Sequence, residues 1–461
     1  MMTAAQRLGD FIAAMKIEQL PGEVRRAAEL HVLDTLGCGL AAYAVGEGDY
    51  AYQAVRESGS TGPATVIGAT EGLPPLDAAF VNGTLFHVLD FDDTHPAAVV
   101  HVSAGVVPAA IAAAQAAGAS GADLLTAVVA GNETSVRLGA AAGGLFHARG
   151  FHPTGVCGVF GATAAAARVR GLDGTATAHA LGIAGSMASG LMEFLADGAQ
   201  TKPLHPGWAA QAGQAAVRLA AHGATGPSTV FEGARGFFAT YLRGEATDLD
   251  AQLADLGERW VTPDIAYKPY PACHYTHASV DALAQILEET PLRPEDIERM
   301  TALSHPTGAP IVCTPPEDKV TPRTPYDAKF SLPYCLAYRL VHGRLDVTSF
   351  MPDAVTDPDV LALTPRVDHE VREYSPSPDS FGGGVRIATK DGRVLEAELR
   401  YQRGGTENPL TEADVLDKFR TNASLALPAA DVAGLEKAVL DLDGQPDPGF
   451  AAALGRASRM R

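Results

Sequence analysis

The 461-residue chain has few of the residues that mark disulfide-rich, nucleic-acid-binding or membrane proteins. Its five cysteines are widely spaced and form no CxxC pair, so we expect neither a disulfide framework nor a structural zinc site. Only 35 lysines and arginines stand against 54 acidic residues, which gives a net charge of −19. Because nucleic acids and anionic membranes bind basic surfaces, neither is an expected partner. A small anionic ligand stays compatible, since it needs only a local group of cations in a cleft.

We expect no secretory signal peptide in this chain. Its first residues, MMTAAQRLGDFIAAM, contain no basic region followed by an apolar stretch. Residues 99–119 are apolar enough to suggest a membrane span, but they are rich in alanine and include His101, Ser103 and Pro108. A buried helix in a large helical domain explains this composition better. We therefore expect a cytoplasmic protein.

Hydrophobic residues make up 46% of the chain, and two domains are expected because single cores stop growing at roughly 250–300 residues. Alanine-rich helical blocks fill the first half. Prolines and strand-like segments follow from about residue 262, including two alternating segments joined at Asp391-Gly392, a strong hairpin signal. The prediction is a mostly α protein. Residues 1–265 and 408–461 form a large all-helical domain, and residues 266–407 form a smaller inserted α+β domain.

The densest polar cluster is HVLDFDDTHPAAVVH, residues 87–101. Carboxylates and imidazoles held close together in apolar surroundings shift each other's pKa and can transfer protons. Two alternatives exist: an inter-helix loop that uses Asp and Thr as helix caps, or a divalent-metal site, although no HExxH pair is present. An aspartate-rich prenyl-diphosphate box is improbable, because its second metal motif is missing.

Four other segments carry candidate residues. They are HARGFHPTGVCG with His152, DGAQTKPLHPGWAAQAG with Lys202, YKPYPACHYTHASVDA with Lys268 and His277, and KFSLPYCLA with Tyr334. A histidine and an arginine before a helix make an anion site. Lys202 is unusual because no other lysine occurs between it and Lys16. In the same order, the structural alternatives for the four segments are a basic loop, an exposed lysine, a capped helix start and a core tyrosine.

Taken in order, these segments resemble the MmgE/PrpD family over nearly the whole chain. The resemblance includes LPGEVRRAAELHVLDTLGCGLAA, VNGTLFHVLDFDDTH, HVSAGVVPAAIAAA, GFHPTGVCGVFGATAAAA, AQTKPLHPGWAAQAG, STVFEGARGFF, KPYPACHYTHASVDA and KFSLPYCLA. Several motifs in the right order are specific to the family, which includes 2-methylcitrate dehydratase, cis-aconitate decarboxylase and iminodisuccinate epimerase. The resemblance implies a homodimer that uses no cofactor and no metal.

The resemblance also implies a site for a small di- or tricarboxylate. The family's active-site groups carry over to these residues: Asp90, Thr94, His101, His152, Lys202, Lys268 and Tyr334. We expect Thr94, His152, Lys202, Lys268 and His277 to bind substrate. We expect His101, Asp90, Tyr334 and Lys268 to be catalytic. His101 would transfer the proton because an ordinary imidazole pKa lies near working pH, and Tyr334 would protonate a leaving hydroxyl or a carbanion.

A 2-methylcitrate dehydratase-like lyase is the first expectation, on family breadth. Iminodisuccinate epimerisation is an alternative, because this chain reads HVSAG where dehydratases tend to read HPSDN. Decarboxylation of cis-aconitate is another. A carboxylate-binding protein without turnover is the alternative outside enzymes, and the full set of histidines, lysines and tyrosine argues against it.

Overall fold

The computed structural model describes residues 2–374, 380–447 and 450–460. Over these residues the chain is mostly α-helical with one four-stranded sheet, which confirms the predicted class in its broad form.

The N-terminal half consists of helices packed around an apolar core. They are α1 (Ala4–Ala14), α2 (Gly22–Ala44), α3 (Asp49–Arg56), α4 (Pro75–His87), α5 (Ser103–Ala117), α6 (Gly121–Ala141), α7 (Leu145–Ala148), α8 (Pro153–Arg170), α9 (Gly174–Ala184), α10 (Leu204–Ala221), α11 (Phe237–Tyr241) and α12 (Leu249–Gln252). Glycines let the central helices α6 and α8 approach closely. A Cβ added to Gly161 would lie 2.8 Å from the carbonyl oxygen of Gly131.

Helix α5, within the apolar segment considered above, is buried along most of its 15 residues. None of the described helices combines the length and the apolar character needed to cross a membrane.

The second part of the chain contains a mixed sheet with short helices. Its elements are α13 (His274–Glu289), β1 (Ile297–Ser304), α14 (Ala309–Val312), α15 (Pro316–Val320), α16 (Pro325–Ala328), α17 (Leu332–His342), α18 (Pro352–Val355), α19 (Pro358–Leu363), β2 (Val367–Val371), β3 (Gly383–Thr389) and β4 (Val394–Leu399). The strand order is β2-β1-β3-β4, and only the β1–β2 pair is parallel among the described strands. The predicted hairpin joins β3 to β4, with Gly392 at φ +88°.

Three helices complete the chain: α20 (Glu412–Ala423), α21 (Ala429–Leu440) and α22 (Ala451–Gly455). Phe419 of α20 and Leu435 of α21 are buried in the same apolar core as Leu33 of α2. The sheet and its helices bury a second apolar core, which includes Ile297 and Leu336. The candidate site residues lie where these two cores meet.

Candidate active site

A cavity of about 70 Å³ opens between the two cores. Six of the eight predicted site residues line it: Asp90, Thr94, His101, His152, Lys202 and Lys268. The rest of its lining is mainly apolar and is contributed by Val99, Pro153, Met192, Phe194, Leu195, Ile311, Phe330 and Phe381, together with His147, Cys273, His274 and Tyr275. Charged groups in such surroundings interact more strongly than they would in water.

The loop between α4 and α5 supplies the acidic side of the cavity. Helix α4 ends at His87, and the chain then turns through Asp90, whose φ of +55° is left-handed. Val99, at φ +54°, is a second left-handed residue and is disfavoured there because it is β-branched. Such backbone strain is concentrated at functional sites, and here both strained residues line the cavity.

The Asp90 carboxylate forms ion pairs with two lysine ammonium groups. Its Oδ1 lies 2.5 Å from the Lys202 Nζ and 3.2 Å from the Lys268 Nζ. Lys268 also donates to the Asp90 carbonyl at 2.9 Å. Burial opposes the charge of the carboxylate, but Lys202 and Lys268 outweigh it and hold the Asp90 pKa well below its ordinary value. Lys268 also donates to the Ala272 carbonyl at 3.3 Å, whereas Lys202 donates to Asp90 and keeps further donors for an anionic ligand.

His101 lies beside this ion-pair group. Its Nδ1 is 3.1 Å from the Thr94 hydroxyl and 3.4 Å from Asp92, and its Nε2 is 3.9 Å from Asp90. Burial lowers the His101 pKa to about 4, although Asp92 opposes the shift. The His101 pKa therefore lies below the ordinary imidazole value from which its role was predicted, the ring is neutral near pH 7, and the proton-transfer role stays a prediction. With Nδ1 facing Thr94 and Asp92, the neutral ring presents its Nε2 as a base.

His152 precedes α8 and faces a second imidazole. Its Nδ1 is 2.9 Å from the Nδ1 of His205, so one ring donates and the other accepts. Burial, with His205 nearby, holds the His152 pKa well below its ordinary value. His152 thus lines the cavity as a neutral group.

Two predicted residues do not line the cavity. Tyr334 is completely buried in the second core, and its hydroxyl donates to the Ser349 carbonyl at 2.6 Å. The expectation that Tyr334 protonates a substrate does not fit this position, because α17 turns the ring away from the cavity. His277 lies behind the lining, with its Nε2 3.0 Å from the Ala272 carbonyl.

Sequence reasoning missed two residues close to the site. His274, at the start of α13, lines the cavity, and neither ring nitrogen has a hydrogen-bond partner among the described residues. Lys329 is buried and donates to the carbonyls of Leu89 and Pro271 at 3.0 and 3.1 Å, so it ties together the two loops that carry Asp90 and Lys268. Both lie within motifs quoted above, in which neighbouring residues were predicted as site residues.

The arrangement is typical of an acid–base enzyme that acts on an anion. Ammonium groups can hold carboxylates and stabilise negative charge on carbon, and the adjacent imidazoles can move a proton. Two overlapping groups of side chains also have metal-ligand spacing: His87, His101 and His152, and His87, Asp90, Asp92 and His101.

Comparisons with known proteins place the chain in a family. Residues 6–250 match the MmgE/PrpD N-terminal domain, and residues 270–443 match the MmgE/PrpD C-terminal domain. Cis-aconitate decarboxylase from Homo sapiens is 33% identical over 95% of this chain and 91% of its own length. 2-Methylcitrate dehydratase from Cupriavidus necator is 26% identical over 89% of this chain and 88% of its own length. The chain belongs to the MmgE/PrpD family, as the motifs predicted.

Proposed function

We propose that this chain is a metal-independent lyase that removes CO2 from a small unsaturated tricarboxylate of the cis-aconitate type. The observation that carries the proposal is the pair Lys202 and Lys268, which meet at Asp90 beside His101 in a buried cavity. The ammonium groups bind two substrate carboxylates, and the apolar lining surrounds the carboxylate that leaves.

In the reaction, the bond between carbon and the leaving carboxylate breaks, and its electron pair stays on carbon. Lys202 and Lys268 stabilise this negative charge by position and by charge. A proton then joins the carbon and yields an unsaturated dicarboxylate. We assign this transfer to His101, whose Nε2 faces the ion-pair group and whose Nδ1 is oriented by Thr94 and Asp92. The negative charge of the bound substrate raises the pKa of the ring, so Nε2 takes up a proton from solvent and then passes it to the carbon. Asp90 keeps the two lysines in place.

Two points favour decarboxylation over the dehydration expected first from the sequence. The relative named cis-aconitate decarboxylase shares 33% identity, against 26% for the one named 2-methylcitrate dehydratase. Dehydration also needs an acid at the leaving hydroxyl, a role expected of Tyr334, and that hydroxyl is bonded to Ser349. Dehydration stays the second candidate because His101 and His152, with ring centres 6.1 Å apart, offer an acid and a base.

The test is a substrate panel in D2O followed by NMR: cis-aconitate, 2-methylcitrate, citrate and iminodisuccinate, each with EDTA and with added metal. We expect cis-aconitate to lose CO2 and the product to carry one deuterium on carbon. Water loss from 2-methylcitrate would replace the first proposal by the second, and exchange without net change would indicate epimerisation. No change in any sample, with ligand binding retained, would leave a carboxylate-binding protein.

The architecture and assembly are also proposals. We propose that residues 266–407 form a domain inserted into a helical domain of residues 1–265 and 408–461, that the chain is a cytoplasmic homodimer, and that His277 acts by supporting the site loop. The two separate apolar cores support the insertion. Light scattering at several concentrations tests the dimer.

A further inference from the structure

His87 is buried beside the cavity and has no role in the proposed reaction. Its Nδ1 lies 2.8 Å from an oxygen of Asp92, and its side chain is completely inaccessible to solvent. The Nε2 has no hydrogen-bond partner among the described residues. Because the carboxylate accepts at Nδ1, that nitrogen carries the proton and Nε2 carries a lone pair. A buried acceptor without a partner is costly, so its retention needs an explanation.

Two other imidazoles lie next to the His87 ring. The ring centre of His87 is 4.6 Å from that of His101 and 5.6 Å from that of His152. Each partner ring is also held by its Nδ1, His101 by Thr94 and His152 by His205. One nitrogen from each of the three rings lies within 4.8 Å of the other two.

We propose that His87, His101 and His152 bind a divalent transition-metal ion such as Zn²⁺, and that the bound ion inhibits the enzyme. Three imidazoles with an open fourth position form a common zinc geometry. A carboxylate behind a ligating histidine, as Asp92 lies behind His87, is the usual outer partner in such sites. Zn–N bonds are about 2.0–2.1 Å, so three nitrogens that lie within 4.8 Å of one another would move closer around the ion.

The local charge does not oppose the ion. The carboxylates of Asp90 and Asp92 balance the ammonium groups of Lys202 and Lys268, which point to Asp90. Nitrogen ligands select Zn²⁺, Co²⁺ and Ni²⁺ over Mg²⁺ and Ca²⁺, which prefer oxygen. Inhibition rests on the proposed function, because the ion would occupy the lone pair of the proton-transfer residue His101. Binding of the ion does not depend on that function.

The test is a titration of the EDTA-treated chain with Co²⁺, followed by visible absorption, whose intensity reports four-coordinate geometry. We expect one Co²⁺ per chain, displaced by Zn²⁺ and unaffected by excess Mg²⁺. His87→Gln and, separately, His152→Gln should abolish the signal, with circular dichroism checking that each variant is folded. His342→Gln is the matched control, because His342 is exposed and pairs with Asp357 far from the cavity.

Cys273 is the competing ligand, since it also lines the cavity. Cys273→Ser should keep the Co²⁺ spectrum. A spectrum lost in Cys273→Ser, or retained in both histidine variants, would overturn the three-imidazole site. Where an active substrate is found, Zn²⁺ should raise the apparent KM at least tenfold. Co²⁺ binding without any turnover would refute the proposed function alone, and turnover unaffected by bound Zn²⁺ would refute the inhibition.

Discussion

Two groups of buried lysines and aspartates contact the loop between α4 and α5, one in the cavity and one in the helical core. They differ in the number of lysines that share an aspartate. In the cavity, Lys202 and Lys268 share Asp90. In the helical core, Lys418 of α20 is 2.7 Å from Asp34 of α2 and donates to the Phe91 carbonyl at 2.8 Å. We call these the cavity pair group and the core pair group.

In the core pair group one ammonium group faces one carboxylate inside the helical core. Burial opposes the Lys418 charge, but Asp34 and its neighbours raise the Lys418 pKa above its ordinary value. In the cavity pair group two ammonium groups point to one carboxylate, and the group borders open space. Residue type and burial are the same in both, so the second ammonium group beside a cavity is what indicates a binding site.

The core pair group should control stability. Lys418→Met leaves Asp34 buried without its cation, and breaking a buried pair costs about 3–5 kcal/mol. Urea unfolding should show this loss, while the specific activity of the folded protein changes little. Asp34→Leu combined with Lys418→Met should recover part of the stability, because no lone charge stays buried. An unchanged urea midpoint in Lys418→Met would contradict the assignment.

The cavity pair group should control turnover. Removing a preorganised group that stabilises transition-state charge costs about 10²–10³ in kcat, so Lys202→Met should lose that much with cis-aconitate. Lys437→Met, at an exposed position of α21, is the matched control and should keep full activity. The measurement is initial rate against substrate concentration. Equal loss of activity in Lys202→Met and Lys418→Met would remove the distinction between the two groups.

Buried imidazoles should make the protein sensitive to mild acid. Burial lowers the pKa of His95 to about 4, and those of His274 and His277 lie well below the ordinary value. The folded pKa values lie below the unfolded value of about 6.5, so stability is complete above that pH and falls as the pH drops toward the folded values. His95 alone should contribute a loss of about 2 kcal/mol by pH 5.

Urea midpoints at pH 7.5 and 5.0 measure this loss. His95→Asn should show a smaller difference between the two pH values than the unsubstituted chain. An identical difference would mean that the His95 pKa is the same in the folded and the unfolded chain.

Much of the fold could be predicted because its helices and its hairpin leave patterns in consecutive residues of the sequence. Alanine-rich helical blocks and two alternating segments joined at Asp391-Gly392 produced the helices and the β3–β4 hairpin. The site could be predicted only through resemblance, since Asp90, Lys202 and Lys268 are far apart in sequence and meet through packing. No local sequence pattern predicts the distances between these three side chains.

Without the resemblance, residue type alone could not distinguish the roles of the neighbouring aspartates. Asp90 faces the cavity, whereas Asp93 accepts from Ser103 and lies 2.8 Å from His31 in the helical core. Asp90 adopts a left-handed backbone, and a single φ value leaves no periodic trace in a sequence. The position of Tyr334 outside the cavity lining could not be predicted for a related reason: its motif predicted a helix start but not which side of α17 faces the cavity.

The smallest expected effect concerns Tyr334, which belongs to neither pair group. Tyr334→Phe removes the bond to the Ser349 carbonyl and leaves that buried acceptor unpaired, so stability should fall by about 1–2 kcal/mol. Activity should stay within about twofold of the unsubstituted chain, because the hydroxyl does not reach the cavity. Paired measurements of kcat and urea midpoint decide the question. A fall of about a hundredfold in kcat with an unchanged midpoint would mean that Tyr334 reaches the substrate in a rearranged form, and the cavity pair group would then be only part of the catalytic site.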